Sequence, residues 1–311
     1  MTLDSQNHVY GRTMNPNKLS LTAGGSTGGE GALIRMRGSV LGVCTDIAGS
    51  VRVPALCNGN YGLKPTSERI PFKGKTPPGR HGSPSPIFPT IGPQAQSIRD
   101  LELFMRNVIN TDPWLLDSTV HSVPWRQADR PQGSLRFGFI LEDPKRPLHP
   151  TALRVMTEAK DVLKKAGHEI VDINVGGHSR NSVPSLYDSA VLAFKFFLLD
   201  PKKTPIQYIQ EGEEPIIASL LACSFPENKD WTPTLEGLFD LIIQRNEIMD
   251  VYRDLWAGEF ANGAVQQRLD AIILPPYQTT APPHDLFGVP IYTVLANFLD
   301  VSLAYRTANV C

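Results

Sequence analysis

The clearest helical spacing in the chain begins behind Ser97, where Ile98, Leu101, Phe104, Met105 and Val108 recur at intervals of three and four. Side chains spaced this way share one face of a helix, and the Ser97-x-x-Asp100 pair can cap its first free amides, so a surface helix of about three turns is predicted. Residues 135–141 alternate with the two-residue period of a strand, 150–166 read as a helix closed by Gly167, and 169–174 alternate again. Strand, helix and strand in that order make a β-α-β unit with parallel strands. Two more helices are predicted over 188–199 and 235–260, and a short buried strand over 271–274, ending at Pro275. The stretch 66–98 is punctuated by proline and glycine and is predicted to be ordered loop. The fold class that follows is α/β, with a sheet at least partly parallel.

Charge and composition narrow the partners. A formal net charge of −1 supplies no basic field for phosphate backbones or anionic lipid, which argues against nucleic acid and membrane surfaces and for a small neutral substrate. The apolar run 190–199 is too short to span a bilayer and Lys195 interrupts it, so no stable membrane insertion is expected. Met1 is followed by neither the positive start nor the apolar core of a secretory signal, and the expectation is a cytoplasmic protein. Cys44, Cys57, Cys223 and Cys311 are too few and too irregular for a disulfide framework, and the seven histidines form no metal-binding pattern. No cofactor is expected. A homodimer is left open.

The chemistry concentrates between Gly24 and Pro54, where Ser26 and Ser50 each sit in a glycine-rich turn. A hydroxyl is a weak nucleophile near neutral pH. It needs a group to take its proton and donors for the oxyanion that forms. Glycines let the backbone turn tightly enough for several N–H groups to converge on one point, and Ile47, Ala48 and Gly49 precede Ser50 in the manner such a nest requires.

These segments resemble the amidase signature family, in particular its fungal acetamidase-like branch. The likeness rests on Gly-Gly-Ser-x-Gly-Gly-Glu at 24–30, Thr-Asp-Ile-x-Gly-Ser-x-Arg-x-Pro at 45–54 and Tyr-Gly-Leu-Lys-Pro-Thr at 61–66, with weaker echoes through Asp270 and on to Asp300. It implies the amidase signature fold, a mixed and mostly parallel sheet covered by helices. The implied activity is hydrolysis of a carboxamide C–N bond through a Ser-cisSer-Lys mechanism and an acyl-enzyme. By the same resemblance Ser50 is the nucleophile, and Ser26, its peptide cis, passes the proton. The amides of Ile47, Ala48, Gly49 and Ser50 form the oxyanion hole. Asp46 and Arg52 are expected to pair across the loop, and Thr45 to help hold the serine. The substrate is a small-molecule amide.

The sequence departs from that pattern in two places. The family lysine lies well upstream of the first serine turn, whereas here Lys18 alone precedes Ser26 and aligns with a linker, so it is assigned no catalysis. The expected organisation is one amidase signature domain over 1–300, incomplete at both termini, with a divergent tail over 301–311. Two other readings follow. One is a catalytically dead or fragmentary amidase-like protein that lacks its base. The other is an α/β-hydrolase esterase with a nucleophile elbow at 24–28 and Asp270 and His284 as partners, which leaves the Ser50 turn unexplained.

Overall fold

The computed structural model describes residues 2–305 except 81, 83–85, 130, 178–180 and 259–266. In chain order the strands are β1 (Gln6–Asn7), β2 (Gly11–Arg12), β3 (Leu41–Asp46), β4 (Tyr61–Lys64), β5 (Thr90–Ala95), β6 (Arg136–Phe139), β7 (Glu169–Asp172), β8 (Asn174–Val175), β9 (Ser182–Val183), β10 (Ala271–Ile273) and β11 (Leu303–Tyr305). The helices are α1 (Gly28–Arg35), α2 (Arg52–Asn58), α3 (Ile98–Ile109), α4 (Pro150–Lys165), α5 (Leu186–Phe197), α6 (Thr204–Glu211), α7 (Ala218–Ala222), α8 (Leu235–Ala257) and α9 (Ile291–Phe298).

The parallel part of the mixed architecture is the sheet β10-β6-β7, with Phe137 opposite both Ile170 and Ala271. Helix α4 is the crossover between β6 and β7, as the strand-helix-strand pattern predicts. The sheet β11-β4-β5-β3 is antiparallel throughout, and the turn that holds Ser50 follows one end of β3.

Helix α3 starts where its cap predicts: Ser97 Oγ accepts from the Asp100 amide at 3.2 Å and donates to the Asp100 carboxylate at 2.7 Å. Helix α8 runs to Ala257, and the last two residues of its predicted span lie outside the described residues. The loop expected over 66–98 needs correcting, because its end forms β5 between β3 and β4. Thr-Ile-Gly-Pro-Gln-Ala has poor strand propensity, but pairing on both sides and burial of Gln94 and Ala95 override it.

The main core gathers around α5 and α9, with Phe139, Ile140, Leu186, Ala190, Phe196, Ile291 and Phe298 fully or nearly fully buried. Ala48 belongs to this cluster, so the loop after β3 is seated on the core. Every residue of α9 is buried. A helix enclosed on all sides should be apolar all round. Within Ile-Tyr-Thr-Val-Leu-Ala-Asn-Phe, Thr293 and Asn297 stand one turn apart on a common face, and each has a partner in the loop that carries Ser50.

Candidate active site

Strand β3 ends at Asp46 and α2 begins at Arg52, so the segment 47–51 is a tight connection with Ser50 near its end. Asp46 organises it. One carboxylate oxygen accepts from the Gly49 amide at 2.8 Å and from Arg52 Nη2 at 2.9 Å, the other from the Val51 amide at 3.0 Å and Arg52 Nε at 3.1 Å. Both side chains of this ion pair are wholly buried. Burial would push the Asp46 carboxyl up, but the Arg52 charge and hydrogen bonds, with Lys64 and the Val51 amide, outweigh it and hold the group below the usual carboxylate value.

Asn297 closes the arrangement from α9. It accepts from Arg52 Nη2 at 2.7 Å and donates to the Asp46 carbonyl at 3.2 Å. Gln94 donates to the Val51 carbonyl at 2.8 Å from the β5 side. Lys64 adds a second buried cation. Its Nζ donates to the Pro65 carbonyl at 2.8 Å, and burial first, then Arg52, push it down to about 8 against the pull of Asp46 and Asp300.

The first serine turn packs against the start of α2. Gly24 has φ +75°, and a Cβ there would stand 2.9 Å from Pro54 Cα. Asn58 donates to the carbonyls of Ala23 and Pro54, both at 2.8 Å, tying the turn to the helix that follows Ser50. The Gly25–Ser26 peptide is cis. Asp4 lies against it, since a Cβ on Gly25 would come within 2.5 Å of the Asp4 carbonyl oxygen. Ser26 Oγ donates to the Thr2 carbonyl at 2.9 Å.

Ser50 is buried, and no hydrogen bond engages its hydroxyl among the described residues. The Gly49 N–H is spent on Asp46, whereas the amides of Ile47, Ala48 and Ser50 have no acceptor among the described residues. Such free donors at a tight turn can receive a developing oxyanion. Thr45 is exposed; besides its β3 pairing with Ile91, its carbonyl accepts from Thr27 Oγ1 at 3.5 Å, and among the described residues no hydrogen bond joins it to Ser50. Lys18 is exposed.

The elbow reading finds no support in the geometry. His284 meets the Leu19 carbonyl at 2.9 Å, while Asp270 accepts from the Arg136 amide at 2.8 Å at the head of the parallel sheet. Among the described residues no group of His, Cys, Asp and Glu is arranged to hold a metal ion, and no helix is long and apolar enough to cross a membrane.

A family model described as Amidase matches residues 1–310. The chain belongs to the amidase family. It is 36% identical over 297 residues to an amidase of Gibberella moniliformis, covering 96% of this chain and 53% of that protein. It is 33% identical over 308 residues to an acetamidase of Aspergillus oryzae, covering 96% of this chain and 54% of the relative. Among solved structures, a fatty acid amide hydrolase superposes with a TM-score of 0.85 at 31% identity, covering 98% of this chain and 51% of that one. A bacterial aryl acylamidase superposes at 0.68 and 20% identity, a likeness of fold. The chain thus spans about half the length of the curated relatives it matches. Amidase membership carries the amidase signature fold.

Proposed function

We propose that this amidase cleaves a carboxamide C–N bond through an acyl-enzyme on Ser50. Ser50 Oγ attacks the carbonyl carbon as its proton passes to the Ser26 hydroxyl, which gives its own proton to water, and the carbonyl oxygen becomes an oxyanion facing the amides of Ile47, Ala48 and Ser50. Collapse breaks the C–N bond, and the nitrogen takes the proton returned from water through Ser26 and leaves as ammonia or an amine. Water then releases the carboxylate and restores the serine. The observation that carries this reading is the Asp46–Arg52 clamp, which holds Ser50 at the end of a turn with free amides. In the same reading residues 1–300 act as one unit on a small neutral amide in the cytoplasm, as a monomer or a homodimer.

A second reading is favoured by the Ser26 contact. Its hydroxyl donates to the Thr2 carbonyl, an acceptor that cannot take the proton onward. A chain in that state opens activated esters, whose leaving groups need no protonation, but cleaves amides slowly, because general-base help is typically worth about 10²–10⁴ in rate.

A p-nitrophenyl acetate burst with mass analysis of the acylated peptide, run beside acetamide turnover, separates the two. Acylation at Ser50 that disappears in Ser50→Ala supports the nucleophile, and acetamide turnover then decides between the readings. Acylation elsewhere, or a burst that survives Ser50→Ala, refutes both.

A further inference from the structure

Ala48 and Gly49 share one peptide unit, and that unit is held at both ends. Its N–H donates to Asp46 Oδ1 at 2.8 Å, and its carbonyl accepts from Thr293 Oγ1 at 2.7 Å. Gly49 has φ +133°, outside the comfortable range of any side-chain-bearing residue, and a Cβ there would lie 2.4 Å from Thr293 Oγ1 and 2.8 Å from Thr293 Cβ. Thr293 is 1% exposed and comes from α9, far along the chain. The hydroxyl therefore reaches a carbonyl that only a glycine allows it to approach.

We propose that Thr293 is a positioning residue for amide hydrolysis, fixing the rotation of the Ala48–Gly49 peptide so that the flanking amides of Ala48 and Ser50 converge on one oxyanion. The Ala48 and Ser50 N–H groups sit on either side of this peptide, so its rotation sets the angle between them. Without a donor on the carbonyl, Asp46 alone restrains the unit, and the carbonyl is left buried and unpaired. Oxyanion catalysis depends on donors fixed before the charge develops, and losing one such donor typically costs about 10²–10³ in rate. Partial misalignment should cost somewhat less. Asn297, one turn on, bonds Asp46 and Arg52 at the two ends of the loop, so α9 holds the loop through two polar side chains.

This inference rests on Ser50 being the nucleophile, and its test separates the two. The 311-residue chain is treated with an alkyl phosphonofluoridate. Ser50 Oγ forms a bond to phosphorus, the P–F bond breaks, fluoride leaves and the hydroxyl proton goes to solvent. Site mapping and the saturation kinetics of labelling are then read together. Thr293→Val, which keeps the shape and removes the donor, should lower the saturating rate roughly 10- to 100-fold with half-saturation within about twofold of wild type. Thr293→Ser should restore the rate, a pattern that a packing role alone would not give. Should the valine variant fail to fold, Thr293→Cys, of similar size but a weak donor, must show the same loss beside an intact serine variant. Wild type labelled at Ser50 with an unchanged rate in the valine or cysteine variant overturns the inference alone. No labelling at Ser50 in wild type overturns the nucleophile assignment and the inference with it.

Discussion

Replacing Asp46 by asparagine tests the clamp most directly. The carboxylate and the Arg52 guanidinium are wholly buried, and the carboxylate accepts two backbone and two guanidinium hydrogen bonds. Asparagine keeps one acceptor oxygen, but its NH2 must face a donor, either the guanidinium or a loop amide. Arg52 would be left a buried cation without its counter-charge, and its Nη1 is already without a partner among the described residues. Breaking a buried pair from one side costs about 3–5 kcal/mol, a large share of the roughly 5–15 kcal/mol that holds a domain folded. With a urea m-value of ~3 kcal/mol/M, the unfolding midpoint should fall by about 1–1.7 M. The double variant Asp46→Leu with Arg52→Met, which removes both charges, should lose less than the sum of its two single replacements. A midpoint for Asp46→Asn within about 0.3 M of wild type, against an expected shift several times larger, would refute the reasoning.

Other expectations follow from the same geometry. Because the folded Asp46 carboxyl lies below its unfolded value, its contribution is present above about pH 4 and is lost as pH falls through the folded value, so acid unfolding of wild type should be steeper than that of the Asp46→Leu, Arg52→Met pair. Lys64 has a linkage of the same sign at higher pH. With its folded value near 8 and its ordinary value at 10.5, the unfolded chain binds more protons between them, and stability rises with pH across that window. The stability of wild type relative to Lys64→Met should therefore rise by up to about 3 kcal/mol from pH 7 to pH 10 in urea titrations, and a flat difference would contradict the assignment. Gly24→Ala forces a Cβ onto Pro54 at positive φ and should lower the thermal midpoint by several degrees, whereas Gly74→Ala, also at positive φ but with open space around it, should cost less.

The sequence reads well where a single element follows its own periodicity. The Ser97 cap and the β6-α4-β7 unit are local statements, fixed by spacing of three, four or two, and the folded chain keeps them. Strand β5 was illegible because its reason to be extended lies in β3 and β4, not in its own residues. Within the site, the glycine turns around Ser26 and Ser50 are visible as motifs, since tight backbone turns demand particular residues. The partners that hold them are not. Nothing in the Tyr-Gly-Leu-Lys-Pro-Thr motif marks Lys64 as a buried cation, and Asn297 is 245 residues from the arginine it accepts from. One signal does exist: two polar residues one turn apart in the otherwise apolar run 291–298 have to find buried partners.

The bonds from α9 to the Ser50 loop join residues separated by 245 to 251 positions. Closing a loop of that length costs entropy before any contact repays it, so these bonds belong to the slow, non-local part of folding. Local elements such as α3 and the β6-α4-β7 unit can form while the Ser50 turn still lacks its carbonyl donor and its asparagine brace. Refolding followed by far-ultraviolet signal should therefore run ahead of refolding followed by Ser50 labelling. On the ribosome the same order should hold: the Ser50 turn is synthesised before residues 293–297, and it gains its final shape only once they have emerged.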